Sequence, residues 1–305
     1  MTRVAIVGAA GETAPIGDGR NDAELLGPVI DAALASAGVP AADVGVLLSA
    51  SSEFANGLVG SVMDVFDVLP AWPPRAHTHL EGDGAFGLYE AWVRLLAGEA
   101  RFALVCAYSR PLAEDPGAVS SLQLDPYTVA PLGVRVEHLA ELQLQALTDS
   151  GRFRGSGPEV VANVPAAGAA ALVLAVEDVV SSRPAAWITG LDQAVETGAF
   201  GARDLTRSTS LEAVSGRLGL RGTPVDLLAV HAPFGYQEAL AMEAIGVDAD
   251  TVSVGEHEVP TVSGLLAVVS AARAVLDGTA ARAVAHATNG PCLQHNLLAL
   301  LEADR

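Results

Sequence analysis

The segment from residue 81 to residue 107 constrains the fold more than any other part of the chain. Residues 81–87 read Glu-Gly-Asp-Gly-Ala-Phe-Gly, residues 88–97 carry apolar side chains at helical spacing, and residues 102–107 form an apolar run. The pattern predicts a tight glycine turn, a helix, a short link and a buried strand. A helix that returns the chain to a buried strand is typical of an α/β fold whose sheet is covered on both faces.

The same alternation continues along the whole chain. Apolar runs predict strands at residues 43–50, 75–80, 169–176 and 185–191, and helical spacing predicts helices at residues 23–37, 58–68 and 136–148. The apolar run at residues 4–8 predicts a short, buried parallel strand.

The second half of the chain echoes the first. Residues 226–232 resemble residues 43–50, and residues 262–287 resemble the segment around Gly84. We therefore expect two similar halves, residues 1–192 and 193–305, with a partly helical excursion at about residues 111–165 inside the first.

Composition narrows the classes of function. The formal net charge is −19, with 36 acidic against 17 basic residues, which argues against nucleic acid as a partner. No apolar stretch reaches the length of a membrane span without Pro, Gly or a charge, and no secretory leader is recognisable, so a soluble cytoplasmic protein is expected. Cys106 and Cys292 give no disulfide framework, and His77 and His79 lack a third ligand, so no metal is predicted.

The second half adds two further motifs. The strand-like residues 226–230 lead into Val230-His231-Ala232-Pro233-Phe234, and a helical segment from Glu238 ends at Gly246. Together with the Gly84 turn, in this order and spacing, they make residues 4–301 similar to the thiolase superfamily, nearest its sterol-carrier and lipid-transfer branch. The resemblance implies a five-layered αβαβα fold of two similar halves, usually dimeric, acting on acyl-CoA thioesters to make or break carbon–carbon bonds.

The chain departs from the thiolase pattern at each reactive position. Gly84-Ala85-Phe86-Gly87 stands where thiolases carry Cys-Ala-Ser-Gly with the nucleophilic cysteine. In the region of the Gly-His-Pro motif, an ungapped alignment places Glu258 at the histidine position, and a shift of one residue places His257 there. Thr288-Asn289-Gly290 stands for Cys-x-Gly, again without cysteine, and the excursion is shorter than the loop domain that embraces CoA in thiolases. Ordinary thiolase chemistry is therefore not expected.

Two functions remain open. In the first, the protein is a cysteine-independent lyase that cleaves a β-hydroxyacyl-CoA by retro-aldol chemistry, with His231 as base and His257 or Glu258 assisting. CoA would enter only as part of the substrate, and no cofactor is required. Three glycines are expected to line the cleft and to offer backbone N–H groups to an oxyanion: Gly84, Gly264 and Gly290.

In the second, the chain is a catalytically silent subunit. In that case it would form a heterodimer with an active thiolase-fold or ketosynthase-like relative. The lyase of the first hypothesis would instead be a homodimer. By analogy with the lipid-transfer branch, a small OB-fold acyl-CoA-binding protein is a further candidate partner.

Overall fold

The computed structural model describes residues 2–57, 60–70, 73, 75–111, 116–152, 164–180, 183–253 and 257–304. The strands are β1 (Val4–Ala14), β2 (Val46–Ser51), β3 (Ala76–Glu81), β4 (Phe102–Ser109), β5 (Val164–Pro165), β6 (Ala167–Val176), β7 (Ala186–Val195), β8 (Pro224–Val230), β9 (Asp248–Ser253), β10 (His257–Glu258), β11 (Arg282–Asn289) and β12 (His295–Glu302). The helices are α1 (Asp22–Ala37), α2 (Glu53–Asn56), α3 (Gly84–Leu96), α4 (Pro116–Ser121), α5 (Val136–Asp149), α6 (Glu177–Val180), α7 (Thr209–Arg217), α8 (Gly235–Ile245) and α9 (Ser263–Leu276). None of these helices is long and apolar enough to cross a membrane.

Ten strands form one sheet in the order β3-β2-β4-β6-β1-β7-β12-β11-β8-β9. The two halves of the sheet have the same strand order. When the strands of each half are counted along the chain, the order from the outer edge to the centre is third, second, fourth, fifth and first. Within the sheet, the pairs Ala5–Trp187 and Ile6–Ala186 of β1 and β7 join the two halves. This repeat confirms an α/β fold of two similar halves. It groups β7 with the second half, and the predicted boundary after residue 192 falls inside that strand.

The helices lie in three layers around the two half-sheets. Helices α3 and α9 pack against each other in the middle, and one core cluster joins Leu88 and Leu95 of α3 to Leu265 and Val268 of α9. Helix α1 covers the outer face of the first half-sheet, and α7 and α8 cover the outer face of the second. The layer order is therefore αβαβα, and both middle helices begin at the same end of the molecule.

Three local predictions were wrong in detail. Strand β1 extends to Ala14 and runs antiparallel to both β6 and β7, although residues 4–8 were expected as a short parallel strand. A helix was expected over residues 58–68, of which residues 58–59 lie outside the described part. The chain forms a 3-10 turn at Ser61–Val65 instead, after the short helix α2. Gly57 and Gly60, which take left-handed φ values of 69° and 72°, interrupt the helix. Helix α3 begins at Gly84, four residues before the expected start.

Candidate functional site

The candidate site lies where the N-termini of the two middle helices meet the end of strand β8. Asp83 directly precedes α3, and Glu258 lies in the short strand β10 just before α9. His231 follows β8, which runs parallel to its neighbour β11. Ligand sites of α/β proteins form at the carboxyl ends of parallel strands, so this is the place where chemistry is expected.

A single carboxylate, that of Asp83, caps both middle helices. Its Oδ1 accepts the N–H of Ala85 at 2.8 Å, and its Oδ2 accepts the N–H of Gly264 at 2.8 Å. Burial raises the pKa of Asp83, while the charge of His231 and the two backbone N–H groups act against this rise. The positive ends of both helix dipoles are therefore already occupied by a carboxyl group that belongs to the chain.

His231 and Glu258 form an ion pair beside Asp83. The Nε2 of His231 lies 3.1 Å from both carboxylate oxygens of Glu258, and the N–H of Thr288 points at Nδ1 over 3.4 Å. When His231 is neutral, this arrangement selects the tautomer that carries its proton on Nε2 and donates it to Glu258. Burial works to lower the pKa of His231, but the charge and hydrogen bond of Glu258, with the charge of Asp83, outweigh it and raise the pKa.

The two members of the pair differ in their access to solvent. The side chain of His231 is 5% exposed, and that of Glu258 is 23% exposed. Glu258 is therefore the member that a substrate can reach, and His231 lies behind it. His257 is exposed on the same short strand, and its ring makes no hydrogen bond within the described part of the chain. Of the two residues that the sequence left open at this position, the fold brings Glu258 to His231.

The three glycines predicted to bind an oxyanion already use their N–H groups. Gly84 donates to the carbonyl of Thr261 at 2.8 Å, Gly264 donates to Asp83, and Gly290 donates to the side chain of Asn289 at 2.9 Å. The first two bonds are buried, whereas the bond of Gly290 is made to an exposed side chain and is the easiest to displace. The oxyanion role of the three glycines stays a prediction. The existing hydrogen bond that an oxyanion would have to replace is easiest to break at Gly290.

No side chain fits at position 84 without movement of its neighbours. A Cβ built on Gly84 would lie 2.6 Å from the Cβ of Ala107 and 2.9 Å from the Cδ2 of Leu265. The two cysteines of the chain lie elsewhere, and burial raises the pKa of Cys106 and of Cys292 to about 12. Neither thiol is therefore ready to act as a nucleophile.

A buried ion pair that no sequence pattern predicts braces the loop after β11. Arg203 Nε lies 3.1 Å from a carboxylate oxygen of Glu196, and their side chains are only 2% and 7% exposed. The same guanidinium donates to the carbonyls of Pro291, at 3.2 Å, and Cys292, at 2.7 Å. Cys292 and Leu293 both take left-handed φ values, of 57° and 54°, so the brace holds a strained turn next to Gly290.

The histidines of β3 take part in a separate polar cluster. The Oγ of Ser49 lies 2.8 Å from His77 Nε2 and 2.8 Å from His79 Nδ1. Within the described ranges, no group of three or more His, Cys, Asp or Glu side chains is arranged to hold a metal ion. The cluster therefore satisfies its own polar groups through hydroxyl hydrogen bonds.

Comparison with known proteins identifies the architecture. No protein-family model matches the chain, and no curated protein sequence does. Among solved structures, the human mitochondrial 3-ketoacyl-CoA thiolase in complex with CoA matches with a TM-score of 0.68 at 15% identity, over 100% of this chain and 98% of its own. The Ltp2-ChsH2(DUF35) aldolase matches with a TM-score of 0.66 at 15% identity, over 99% of this chain and 98% of its own. At that identity the likeness concerns architecture, and on that ground the chain has the thiolase-like fold.

Proposed function

We propose that the protein is a carbon–carbon lyase that cleaves a β-hydroxyacyl thioester, such as a β-hydroxyacyl-CoA, without a cysteine nucleophile. The observation that carries this proposal is the Glu258–His231 pair, in which a reachable carboxylate is backed by a buried histidine of raised pKa. A retro-aldol cleavage needs no acyl carrier, and both thiols of the chain are buried with raised pKa values. The aldolase among the structural matches supports the view that this fold can host such a reaction.

Glu258 rather than His231 is the better candidate for the base. The β-hydroxyl proton of the substrate passes to the Glu258 carboxylate, the C–O bond becomes a carbonyl, and the bond between Cα and Cβ breaks. Its electron pair leaves on Cα as the enolate of the thioester, which then takes up a proton at Cα. His231 is a positioning residue in this scheme, because its Nε2–H holds both oxygens of Glu258.

The enolate oxygen needs a hydrogen-bond donor. Gly290 is the best placed of the three predicted glycines, because its N–H is released when the exposed side chain of Asn289 turns away. A rotation of the Asn289 amide that takes Oδ1 off this N–H would turn Nδ2 toward the same edge of the site, so the side chain can supply a second donor. A backbone N–H and a side-chain amide form a common type of oxyanion hole.

The test is turnover of a panel of β-hydroxyacyl-CoA thioesters, with the released carbonyl product measured directly. We expect Glu258→Gln to lower kcat by about 10²–10⁴-fold, which is the usual contribution of a general base. The matched control is His257→Gln, its exposed neighbour on β10, which we expect to stay within a few-fold of the parent protein. Equal losses in both variants, or full activity of Glu258→Gln, would show that the base is misassigned.

A specific observation favours the second candidate function, a catalytically silent subunit. Asp83 occupies both helix N-termini, and the Cβ clash at Gly84 closes the place where thiolases hold their nucleophile. In this case the chain would pair with an active thiolase-fold relative and would show no turnover alone. Stable co-purification with such a relative, together with unchanged activity of the complex carrying Glu258→Gln, would support it over the lyase. A lyase-active homodimer would exclude it.

A further inference from the structure

The loop after β11, residues 290–294, is held from outside through its carbonyl groups. The four consecutive carbonyls of residues 291–294 each accept a hydrogen bond from a group that lies outside the loop. Arg203 donates to the first two, Nδ2 of Asn296 donates to the third at 2.8 Å, and the N–H of Glu196 donates to the fourth at 2.8 Å. The loop therefore cannot move without breaking several hydrogen bonds at once.

Asn296 is the fully buried residue at the centre of this arrangement. Its Nδ2 faces three oxygens, those of the Leu293 carbonyl at 2.8 Å, the Ser210 hydroxyl at 2.8 Å and the Ser208 hydroxyl at 3.2 Å. Because a carbonyl oxygen can only accept, the amide nitrogen must face this side, and Oδ1 faces His286 on β11. The Nε2 of His286 lies 2.9 Å from Oδ1 and donates to it. The partners on both sides therefore fix the orientation of the Asn296 amide.

The Asn296 amide joins the sheet to the ion pair that braces the loop. On the sheet side, burial lowers the pKa of His286 to about 4, so at neutral pH the ring is uncharged and keeps one proton for Asn296. On the other side, the hydroxyl of Ser210 donates to one carboxylate oxygen of Glu196 at 2.9 Å, and Arg203 donates to the other oxygen. Movement of the loop would leave buried members of this network unpaired, which is costly in a low dielectric.

The backbone conformation that the network holds is one that the loop residues do not prefer. Within the described part of the chain, the non-glycine residues with a left-handed φ are Thr261, Cys292 and Leu293, and two of these lie in the loop. A leucine at a φ of 54° is strained, and it keeps this conformation only where its surroundings impose it. The bond from Asn296 to the Leu293 carbonyl is therefore a restraint placed directly on a strained residue.

We propose that Asn296 is a positioning residue, which holds the loop in the conformation that presents the N–H of Gly290 to the enolate. The inference rests on the proposed lyase function, because the enolate is the anion that this N–H would receive. Asn296 itself is fully buried and acts only through the loop. A displacement of about 1 Å in a reacting group can cost about 10²-fold in rate. Release of Leu293, three residues after Gly290, should therefore lower kcat while KM changes little.

The two cysteines of the chain allow movement of the loop to be measured without any substrate. Cys292 lies in the loop, is 3% exposed, and donates its Sγ–H to the carbonyl of Leu139 at 3.3 Å. Cys106 is fully buried in β4, in the first half of the fold. Alkylation of the folded full chain with N-ethylmaleimide, followed by mass spectrometry of the two peptides, therefore reports release of the loop at Cys292 and opening of the first-half core at Cys106.

The test variant is Asn296→Ala, and the matched control is Asn56→Ala. Asn56 is also fully buried, but it lies in the first half, where its Oδ1 accepts the N–H of Arg110 at 3.1 Å. We expect Asn296→Ala to raise the alkylation rate of Cys292 about tenfold or more, without the same rise at Cys106. We expect it to lower kcat on β-hydroxyacyl-CoA thioesters about 10–10²-fold with KM within a few-fold. Asn56→Ala should leave kcat and the Cys292 rate within a few-fold of the parent protein.

A second variant, Ser210→Ala, covers the case in which Asn296→Ala unfolds. It removes the hydroxyl that links Asn296 to Glu196, and it should give the same selective rise at Cys292 on a smaller scale. Equal rises at both cysteines in both variants would attribute the effect to general unfolding and overturn the proposal.

The role of Asn296 and the lyase function fail separately in this experiment. An unchanged Cys292 rate in Asn296→Ala would overturn the role of Asn296, whether or not the protein cleaves a thioester. Faster alkylation of Cys292 with unchanged kcat would show that the loop does not position the reaction, which also overturns it. A parent protein without turnover would refute the lyase function alone, and the Cys292 rate would then still decide whether Asn296 holds the loop.

Discussion

Replacement of Gly84 by alanine tests whether the packing at the start of α3 leaves room for a side chain at this position. The new Cβ would lie 2.6 Å from the Cβ of Ala107, a methyl group that cannot rotate away, and 2.9 Å from the end of the flexible side chain of Leu265. Overpacking of a core by one methyl group costs about 1–3 kcal/mol. The helix gains at most about 1 kcal/mol from alanine over glycine. We therefore expect a net loss of about 1–2 kcal/mol in the free energy of unfolding.

Thermal and urea denaturation measure this loss, which corresponds to a fall in Tm of roughly 1.5–3 °C for a chain of this size. The matched control is Gly216→Ala in α7, where an added Cβ meets nothing within 4 Å. That substitution should stabilise the protein by about 0.5–1 kcal/mol. In an Ala107→Gly background the cost of Gly84→Ala should shrink, which a double-mutant cycle reports. A Gly84→Ala variant as stable as the parent protein would refute the steric reasoning, and with it the view that this position is closed to cysteine.

Two further predictions concern the surroundings of the site. Arg203→Gln leaves a buried carboxylate unpaired and should cost about 3–5 kcal/mol in urea denaturation, whereas Arg207→Gln, which breaks an exposed pair, should cost about 0–1 kcal/mol; equal losses would contradict the bracing role. Because the folded-state pKa of His231 lies above its ordinary value of 6.5, its contribution to stability is full below about pH 6.5 and is lost as the pH rises through the folded-state value. The stability difference between the parent protein and His231→Gln should therefore narrow from pH 6 to pH 9, and a difference that widens would reverse the assigned direction of the shift.

The sequence predicts the larger elements of the fold well. The helices of 14 and 16 residues, α5 and α1, were expected within one residue of their observed bounds, because each carries an apolar stripe, and α1 also has the end signals Asn21 and Gly38. The direction of β1 could not be predicted in the same way. A strand that is buried on both faces is apolar throughout, and this run looks the same whether its neighbours are parallel or antiparallel.

The site was predictable only in part. His231 and Glu258 were both named from the sequence, but their contact joins positions 27 residues apart and depends on the short strand β10. Asp83 was missed as a site residue, since an aspartate before a helix usually caps that helix alone. Its second bond, to Gly264, exists only because the two halves of the chain bring the starts of α3 and α9 together. Such a contact leaves no local pattern in the sequence.

Asp83 also decides where an enolate can be stabilised. In a fold whose two middle helices begin at one point, that point is the natural binding place for an anion, because both sets of N–H groups and both dipoles are directed at it. Here the place is filled by the buried carboxyl group of Asp83, whose two oxygens already accept N–H groups of both helices, so these donors are not free for a second anion. In the proposed lyase reaction, the enolate is therefore expected on the side of Gly290 and Asn289, where moving an exposed side chain releases the N–H group of Gly290. In the proposed reaction, the loop after β11 therefore binds the enolate, and the start of α3 at Gly84 does not.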